Sequence, residues 1–90
     1  MAGEQAQARE DIALRLARIA GHAASLKRLW DEGREGRDML TQIVAVRAAL
    51  DAVGRAILEQ EIDRQLSRAL ATRDSSEASR ALKEALDRLL

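Results

Sequence analysis

Apolar residues recur at alternating steps of four and three along two long stretches of this 90-residue chain, and proline is absent from the whole sequence. The first series comprises Ile12, Leu16, Ile19, Ala23, Leu26 and Trp30. The second comprises Met39, Ile43, Val46, Leu50, Val53 and Ile57. Because this spacing keeps apolar side chains along one side of an α-helix, the sequence predicts helices over about 7–32 and about 37–72.

A third helix is predicted after residue 73. Asp74-Ser75-Ser76-Glu77 resembles a capping box with aspartate as the cap, and Leu82, Ala85, Leu86 and Leu89 follow as an apolar stripe. Gly33 is the predicted end of the first helix, with 34–36 as the connection. Residues that favour strands are few outside 43–46. We therefore expect an all-α fold of three helices in a single domain, 1–90.

The second predicted helix carries more apolar surface than one neighbouring helix can cover. Beside its main series it has a further set of apolar residues, namely Leu40, Ala49, Leu58, Ile62, Leu66 and Leu70. A chain of 90 residues buries only a modest core by itself. The excess surface therefore predicts contact with another subunit.

Composition excludes several classes of protein. The 15 basic and 15 acidic residues balance, which argues mildly against nucleic-acid binding unless the basic residues cluster on one face. The absence of cysteine excludes disulfides and thiolate metal sites. There is no membrane-spanning apolar run, no signal-peptide pattern and no catalytic motif, so we expect a cytoplasmic protein that is not an enzyme and needs no cofactor.

Two segments resemble a known family. Residues 15–22 read R-L-A-R-I-A-G-H, and residues 38–47 read D-M-L-T-Q-I-V-A-V-R. Together with the acidic turn at 31–34, they resemble the CsoR/RcnR/FrmR repressors, which sense copper, nickel or cobalt, or formaldehyde. The resemblance covers roughly 12–66, and the third helix suits the longer members that sense nickel/cobalt or formaldehyde.

The resemblance implies both an assembly and a function. It implies an antiparallel four-helix-bundle dimer, and a disc-like homotetramer formed by two such dimers. It also implies a transcriptional repressor that binds operator DNA without a helix-turn-helix, through basic surfaces of the first two helices.

The chain departs from this family at the positions that sense. Gly36 stands where the resemblance places a cysteine, Glu61 where it places a histidine, and Gln65 where it places a cysteine or histidine. Glu35 replaces a tyrosine common in copper sensors. Without a thiolate, neither a Cu(I) site nor the cysteine nucleophile for formaldehyde is expected. The sequence thus predicts a degenerate sensor site at 36, 61 and 65 and no metal site.

Four arginines are candidates for DNA binding. The resemblance places Arg15 and Arg18 on the DNA-facing surface, and Arg47 and Arg55 extend the basic surface on the second helix. The alternative is an ordinary solvated face, in which these arginines pair with neighbouring acidic residues. His22, the lone histidine, has no partners for a metal site and is assigned a structural or DNA-proximal role.

Glu35, Glu61, Arg64 and Gln65 are interpreted as a candidate pocket for a small polar effector. The simpler alternative is that Glu61, Arg64, Gln65 and Arg68, which lie on one helix face, form surface pairs at helical spacing. Trp30 is expected in the core or at a subunit interface. Gly54 lies inside a predicted helix, where it costs about 1 kcal/mol relative to alanine, so close helix packing is expected there.

The sequence therefore favours a DNA-binding repressor that has lost the usual cysteine and histidine ligands and whose effector is unknown. The alternative is a structural or interaction protein that forms mixed oligomers with a sensing paralogue. A DNA-shift assay on the purified protein alone separates the two functions.

Overall fold

Three α-helices make up almost all of residues 2–90, the part of the chain that the computed structural model describes; Met1 lies outside it. They are α1 (Ala2–Asp31), α2 (Gly36–Thr72) and α3 (Ser76–Leu89). Within residues 2–90 there is no strand, and the all-α prediction is confirmed. The helix α1 begins five residues earlier than the apolar series indicated. No helix in this range is both long and apolar enough to cross a membrane.

The turn after α1 ends the helix at the position predicted from Gly33. The amide of Arg34 donates to the carbonyl of Leu29 at 3.1 Å, and the amide of Gly33 donates to the carbonyl of Trp30 at 3.0 Å. Gly33 has φ +89°, a left-handed conformation that costs glycine nothing. This pair of bonds is the Schellman motif, which satisfies carbonyls that the helix itself leaves free.

The start of α3 differs from the predicted capping box. Ser75 is the N-cap, and its side chain makes no capping hydrogen bond. Asp74 Oδ1 instead accepts from the Ser76 amide at 3.0 Å and the Ser76 hydroxyl at 2.8 Å. The Glu77 carboxylate accepts a hydrogen bond from Arg68 rather than from the cap. Arg73, just before this turn, has a left-handed backbone with φ 59°.

The chain forms two compact units, and the first contains α1 and the start of α2, up to Val53. Every second member of each predicted apolar series lies inward: Ile12, Ile19, Leu26, Met39, Val46 and Val53 are buried or half-buried. The members between them are exposed: Leu16, Ala23, Trp30, Ile43 and Leu50. The packing of this unit therefore uses alternate members of each series, together with the half-buried Arg15, His22 and Gln42.

The second unit runs from Gly54 to Leu90 and contains the rest of α2 with α3. Ala78 and Gln65 are its buried residues. A β-carbon at Gly54 would lie 3.0 Å from Leu89 Cδ1, so the close packing predicted at Gly54 is confirmed and its neighbour is α3. On α2, Leu66 and Leu70 remain exposed, Leu70 by 80 %.

Candidate sensor site and DNA-binding surface

Glu61 is the centre of a hydrogen-bonded cluster on α2, which we call the Glu61 cluster: Glu61, Arg64 and Gln65. Arg64 donates from Nη2 to Glu61 Oε1 at 2.8 Å and from Nε to Oε2 at 3.2 Å. Gln65 donates from Nε2 to the same Oε1 at 3.0 Å. Helical spacings of three and four residues bring the side chains together. The Glu61 carboxylate thus accepts three hydrogen bonds from its own helix.

These contacts fix the charge of the cluster. The hydrogen bond from Arg64, and after it the one from Gln65, lowers the pKa of Glu61, while desolvation opposes them. The same Glu61 contact raises the pKa of Arg64. Both groups are therefore ionised at neutral pH, and their charges cancel.

Gln65 is the most deeply placed polar side chain of this cluster, with 3 % of the residue exposed. A carboxylate and an amide are hard oxygen donors, which do not match a soft ion such as Cu(I). Across residues 2–90, no three or more His, Cys, Asp and Glu side chains are grouped to hold a metal ion. Glu61, the cluster's negatively charged candidate metal ligand, is already paired with Arg64.

Glu35 and Gly36, the other predicted members of the sensor site and pocket, lie in the first unit. Glu35 is exposed in the turn before α2, and its backbone carbonyl accepts a hydrogen bond from the Met39 amide at 3.0 Å. Gly36 is the first residue of α2, and the space beside its backbone is open. The Glu61 cluster is thus formed by three of the four residues predicted for the effector pocket, without Glu35.

A groove of about 610 Å³ runs between α2 and α3 beside the Glu61 cluster. Its α2 wall comprises Gly54, Ile57, Leu58, Glu61, Arg64, Gln65 and Arg68. Its α3 wall comprises Glu77, Ala81, Glu84, Ala85, Arg88 and Leu89. The α3 wall was not predicted from the sequence. The helical spacing of Ala81, Ala85 and Leu89 was the available signal, because small residues on one face allow a helix to approach its neighbour.

One ion pair crosses the groove. Arg68 Nη2 on α2 donates to Glu77 Oε1 on α3 at 3.2 Å, and the two side chains are 52 % and 67 % exposed. An ion pair this exposed contributes at most about 1 kcal/mol. The pairing of Arg68 with Glu77 was not predicted from the sequence, since the two residues are nine positions apart and a turn intervenes.

The four arginines predicted to bind DNA differ in exposure. Arg18, Arg47 and Arg55 are exposed, and Arg15 is half-buried on the inward side of α1. None of the four takes part in the ion pairs formed within residues 2–90. Arg28, also on α1, does: it pairs with Glu32 at 3.1 Å. The candidate arginines therefore differ from Arg28 in having no carboxylate engaged with them across the described part of the chain.

His22 and Trp30 have different environments. Nε2 of His22 and Oε1 of Gln42 are 2.7 Å apart in a half-buried hydrogen bond between α1 and α2. This contact supports the structural role considered for His22. Trp30 is 61 % exposed, so it lies outside the core of the single chain, and of the two expected places, core or subunit interface, the interface stays a prediction.

Comparison with known proteins agrees with the fold and the motifs. The family described as "Metal-sensitive transcriptional repressor" matches residues 8–89. The copper-sensing transcriptional repressor RicR of Mycobacterium tuberculosis (strain ATCC 25618 / H37Rv) is 34 % identical over 65 residues, which is 72 % of this chain and 68 % of RicR. The structure of the nickel-responsive transcriptional regulator InrS superposes with a TM-score of 0.84 and 40 % identity, over 90 % of this chain and 91 % of InrS.

RicR and InrS, as their names state, are regulators of transcription. The family match spans all three helices, including α3, which the sequence motifs alone did not reach. The chain is therefore a member of the metal-sensitive transcriptional repressor family, the CsoR/RcnR/FrmR family that its motifs resemble.

Proposed function

We propose that this protein is a DNA-binding transcriptional repressor that has lost the cysteine and histidine ligands of its family and responds to something other than Cu(I), nickel or cobalt. The observation that carries the proposal is the Glu61 cluster. At positions where the family resemblance places sensing ligands, Glu61 and Gln65 are hydrogen-bonded to each other, and Arg64 supplies the positive charge. The chain has no cysteine with which to replace them.

Operator DNA is the proposed partner, and Arg15, Arg18, Arg47 and Arg55 are the proposed contacts. Arginine is suited to the phosphate backbone because its guanidinium forms two parallel hydrogen bonds. The balanced net charge of the chain requires that these contacts come from a local surface. None of the four arginines takes part in an ion pair within residues 2–90, and this supports the assignment.

A homotetramer built from four-helix-bundle dimers is the proposed form of the repressor. In the first unit, four large apolar side chains that follow the predicted series are exposed: Leu16, Trp30, Ile43 and Leu50. In the second unit, Ile57, Leu66 and Leu70 are exposed as well. Large apolar side chains exposed in this number favour a protein interface. We propose that other copies of the chain pack against this apolar surface.

The second candidate function is an interaction protein that forms mixed oligomers with a sensing paralogue. The same exposed residues favour it, because surfaces that pair identical chains also suit a close relative that retains its ligands. In that case the purified protein alone would not bind its operator, and adding the paralogue would restore binding.

The test combines DNA binding with metal binding. A gel-shift titration of the purified protein with DNA flanking its own gene should give a specific complex without any paralogue. Calorimetry with Cu(I), Ni(II), Co(II) and Zn(II) should detect no stoichiometric sub-micromolar site. As a positive control, the combined substitution Gly36→Cys, Glu61→His and Gln65→Cys restores thiolate and imidazole donors and should gain Cu(I) binding. A tight metal site in the parent chain at these positions would overturn the proposal.

A further inference from the structure

A stripe of apolar side chains with opposite charges at its two ends runs along the second half of α2. Ile62, Leu66 and Leu70 are four residues apart and therefore lie along one side of the helix. Leu66 is 53 % exposed and Leu70 is 80 % exposed, while Ile62 is half-buried. We call Glu59, Ile62, Leu66, Leu70 and Arg73 the Leu66 stripe. All five residues belong to the second unit.

The helix α3 packs on a different side of α2. That side carries Gly54, whose neighbour is Leu89, and the buried Gln65. Successive residues of an α-helix are about 100° apart, so Leu66 points away from the side on which Gln65 is buried. Leu66 and Leu70 are therefore apolar surface that residues 2–90 leave largely uncovered.

The charges at the two ends of the stripe are opposite. Glu59 lies seven residues before Leu66, and Arg73 lies seven residues after it, directly beyond the end of α2. Each distance is about 10 Å along the helix. Asp63 adds a second exposed carboxylate on the side of Glu59. Neither Glu59 nor Arg73 takes part in the ion pairs formed within residues 2–90.

We propose that the Leu66 stripe joins the two dimers of the tetramer, through two copies of the stripe that pack antiparallel about a two-fold axis at Leu66. This inference rests on the proposed assembly and specifies one of its interfaces. In this register Leu66 faces the partner's Leu66, and Ile62 faces the partner's Leu70. Glu59 faces the partner's Arg73, and the two-fold axis makes this ion pair occur twice.

The charges select both the occupant and its direction. Parallel packing of two copies would bring Glu59 against the partner's Glu59 and Arg73 against the partner's Arg73, and such like charges repel. Antiparallel packing brings unlike charges together at both ends. A stripe that is acidic at one end and basic at the other, at equal distances from its centre, complements a second copy of itself.

A tetramer of two dimers needs two different interfaces, and α2 offers a separate surface for the second. Ile57 lies nine residues before Leu66, which is about two and a half helical turns, so the two residues are on opposite sides of α2. Ile57 is 48 % exposed. The contact at Leu66 therefore leaves the surface at Ile57 for pairing within each dimer.

Arg73 has a backbone conformation that its residue type disfavours. Its φ of 59° is left-handed, a region that glycine adopts freely and that the β-carbon makes costly for other residues. Gly33 has the same kind of backbone in the turn after α1, with φ +89°. An ion pair with the partner's Glu59 gives the guanidinium of Arg73 a role that glycine could not perform.

Charge reversal tests the register, with sedimentation equilibrium and light scattering of the full chain as the measurements. Glu59→Arg and Arg73→Glu each place like charges at both symmetric contacts, so each should weaken the association of dimers about tenfold or more. Tetramers should then give way to dimers at micromolar concentration. The double variant Glu59→Arg with Arg73→Glu exchanges the two charges and should restore the tetramer. A double variant that stays as dissociated as the single variants would overturn the register.

Two further variants separate the ion pair from other effects, and circular dichroism checks that the helices remain in each. Arg80→Glu is the matched control, because it makes the same charge change at an exposed arginine of α3 outside the stripe. It should leave the association unchanged, and dissociation equal to that of Arg73→Glu would overturn the inference. Arg73→Gly relieves the left-handed backbone but removes the charge, so it should weaken association severalfold without loss of helix.

Failure of this inference is distinguishable from failure of the proposed function. A chain that binds its operator and forms tetramers unaffected by either charge reversal remains a repressor and loses this interface. A parent chain that stops at dimers or monomers refutes the tetramer and this inference with it, whereas DNA binding is then decided by the gel shift. Tetramers that the single variants dissociate and the double variant restores support both the assembly and the register.

Discussion

Leu89 Cδ1 lies 3.0 Å from the position that a β-carbon on Gly54 would occupy, so the last turn of α3 packs against the one glycine inside the second half of α2. This approach couples the helix propensity of α2 to the packing of α3. Alanine at 54 would gain about 1 kcal/mol of helix propensity but would press on the end of the Leu89 side chain.

We therefore expect Gly54→Ala to stabilise the protein more in a Leu89→Ala background than in the parent chain. The difference should be about 0.5–1 kcal/mol in the free energy of unfolding, a size typical of residues in contact. Urea denaturation of the parent, both single variants and the double variant measures it. Strictly additive effects would contradict the described packing.

His22→Ala should destabilise the first unit by about 1–2 kcal/mol, because it leaves the half-buried Gln42 amide without its partner at 2.7 Å. His22→Gln should cost less, since a second amide can hydrogen-bond Gln42. Denaturation curves at one pH give the comparison. Equal destabilisation by the two variants would mean that the hydrogen bond contributes nothing.

Stability should fall at acid pH partly through Glu61. Because its pKa in the folded chain is lowered, Glu61 contributes stability that is fully present above its unfolded pKa. That contribution is lost as the pH falls from the unfolded value, about 4.3, through the folded pKa. In Glu61→Gln the decline across this window should be shallower. Asp74, whose pKa the Ser76 amide and hydroxyl also lower, should give the same sign in Asp74→Asn. Parallel pH profiles for parent and Glu61→Gln would refute the role assigned to Arg64.

Arg15→Ala together with Arg18→Ala should weaken operator binding and flatten its salt dependence. Each phosphate contact that is removed reduces the slope of log K against log salt by about 0.9. Arg28→Ala is the control on the same helix, because Arg28 is paired with Glu32. Binding isotherms at several salt concentrations test this. The assigned surface is wrong if the double variant binds as the parent does.

Light scattering at micromolar concentration should return a tetramer. Leu50→Glu places a charge on an exposed apolar position of α2 and should shift the population toward smaller species without loss of helix. A parent chain that is monomeric under these conditions would refute the assembly.

Much of the fold was predictable because its signals are local. The 3-4 spacing predicted α1 and α2, and Gly33 predicted the end of α1. The apolar series did not reveal which members face inward. Since Ile12 and Leu16 lie on the same side of α1, only packing with α2 decides that Ile12 is half-buried and Leu16 exposed.

The candidate site was predictable only in part, for the same reason. Glu61, Arg64 and Gln65 share a helix face, so their spacing was sufficient to group them. The groove, however, needs α3, and the contact of Arg68 with Glu77 depends on the turn at Arg73 and Asp74. Nothing in the order of residues specifies that turn closely enough to place Glu77 opposite Arg68.

The Glu61 cluster makes ion binding at this place an exchange rather than an addition. A cation that coordinates Glu61 through the lone pairs held by Arg64 and Gln65 must displace those hydrogen bonds. Its measured affinity is the free energy of coordination less the free energy needed to break those hydrogen bonds. The displaced group, the Arg64 guanidinium, is a side chain of the same helix. It therefore competes with the entering cation at a fixed effective concentration, which dilution of the protein does not lower.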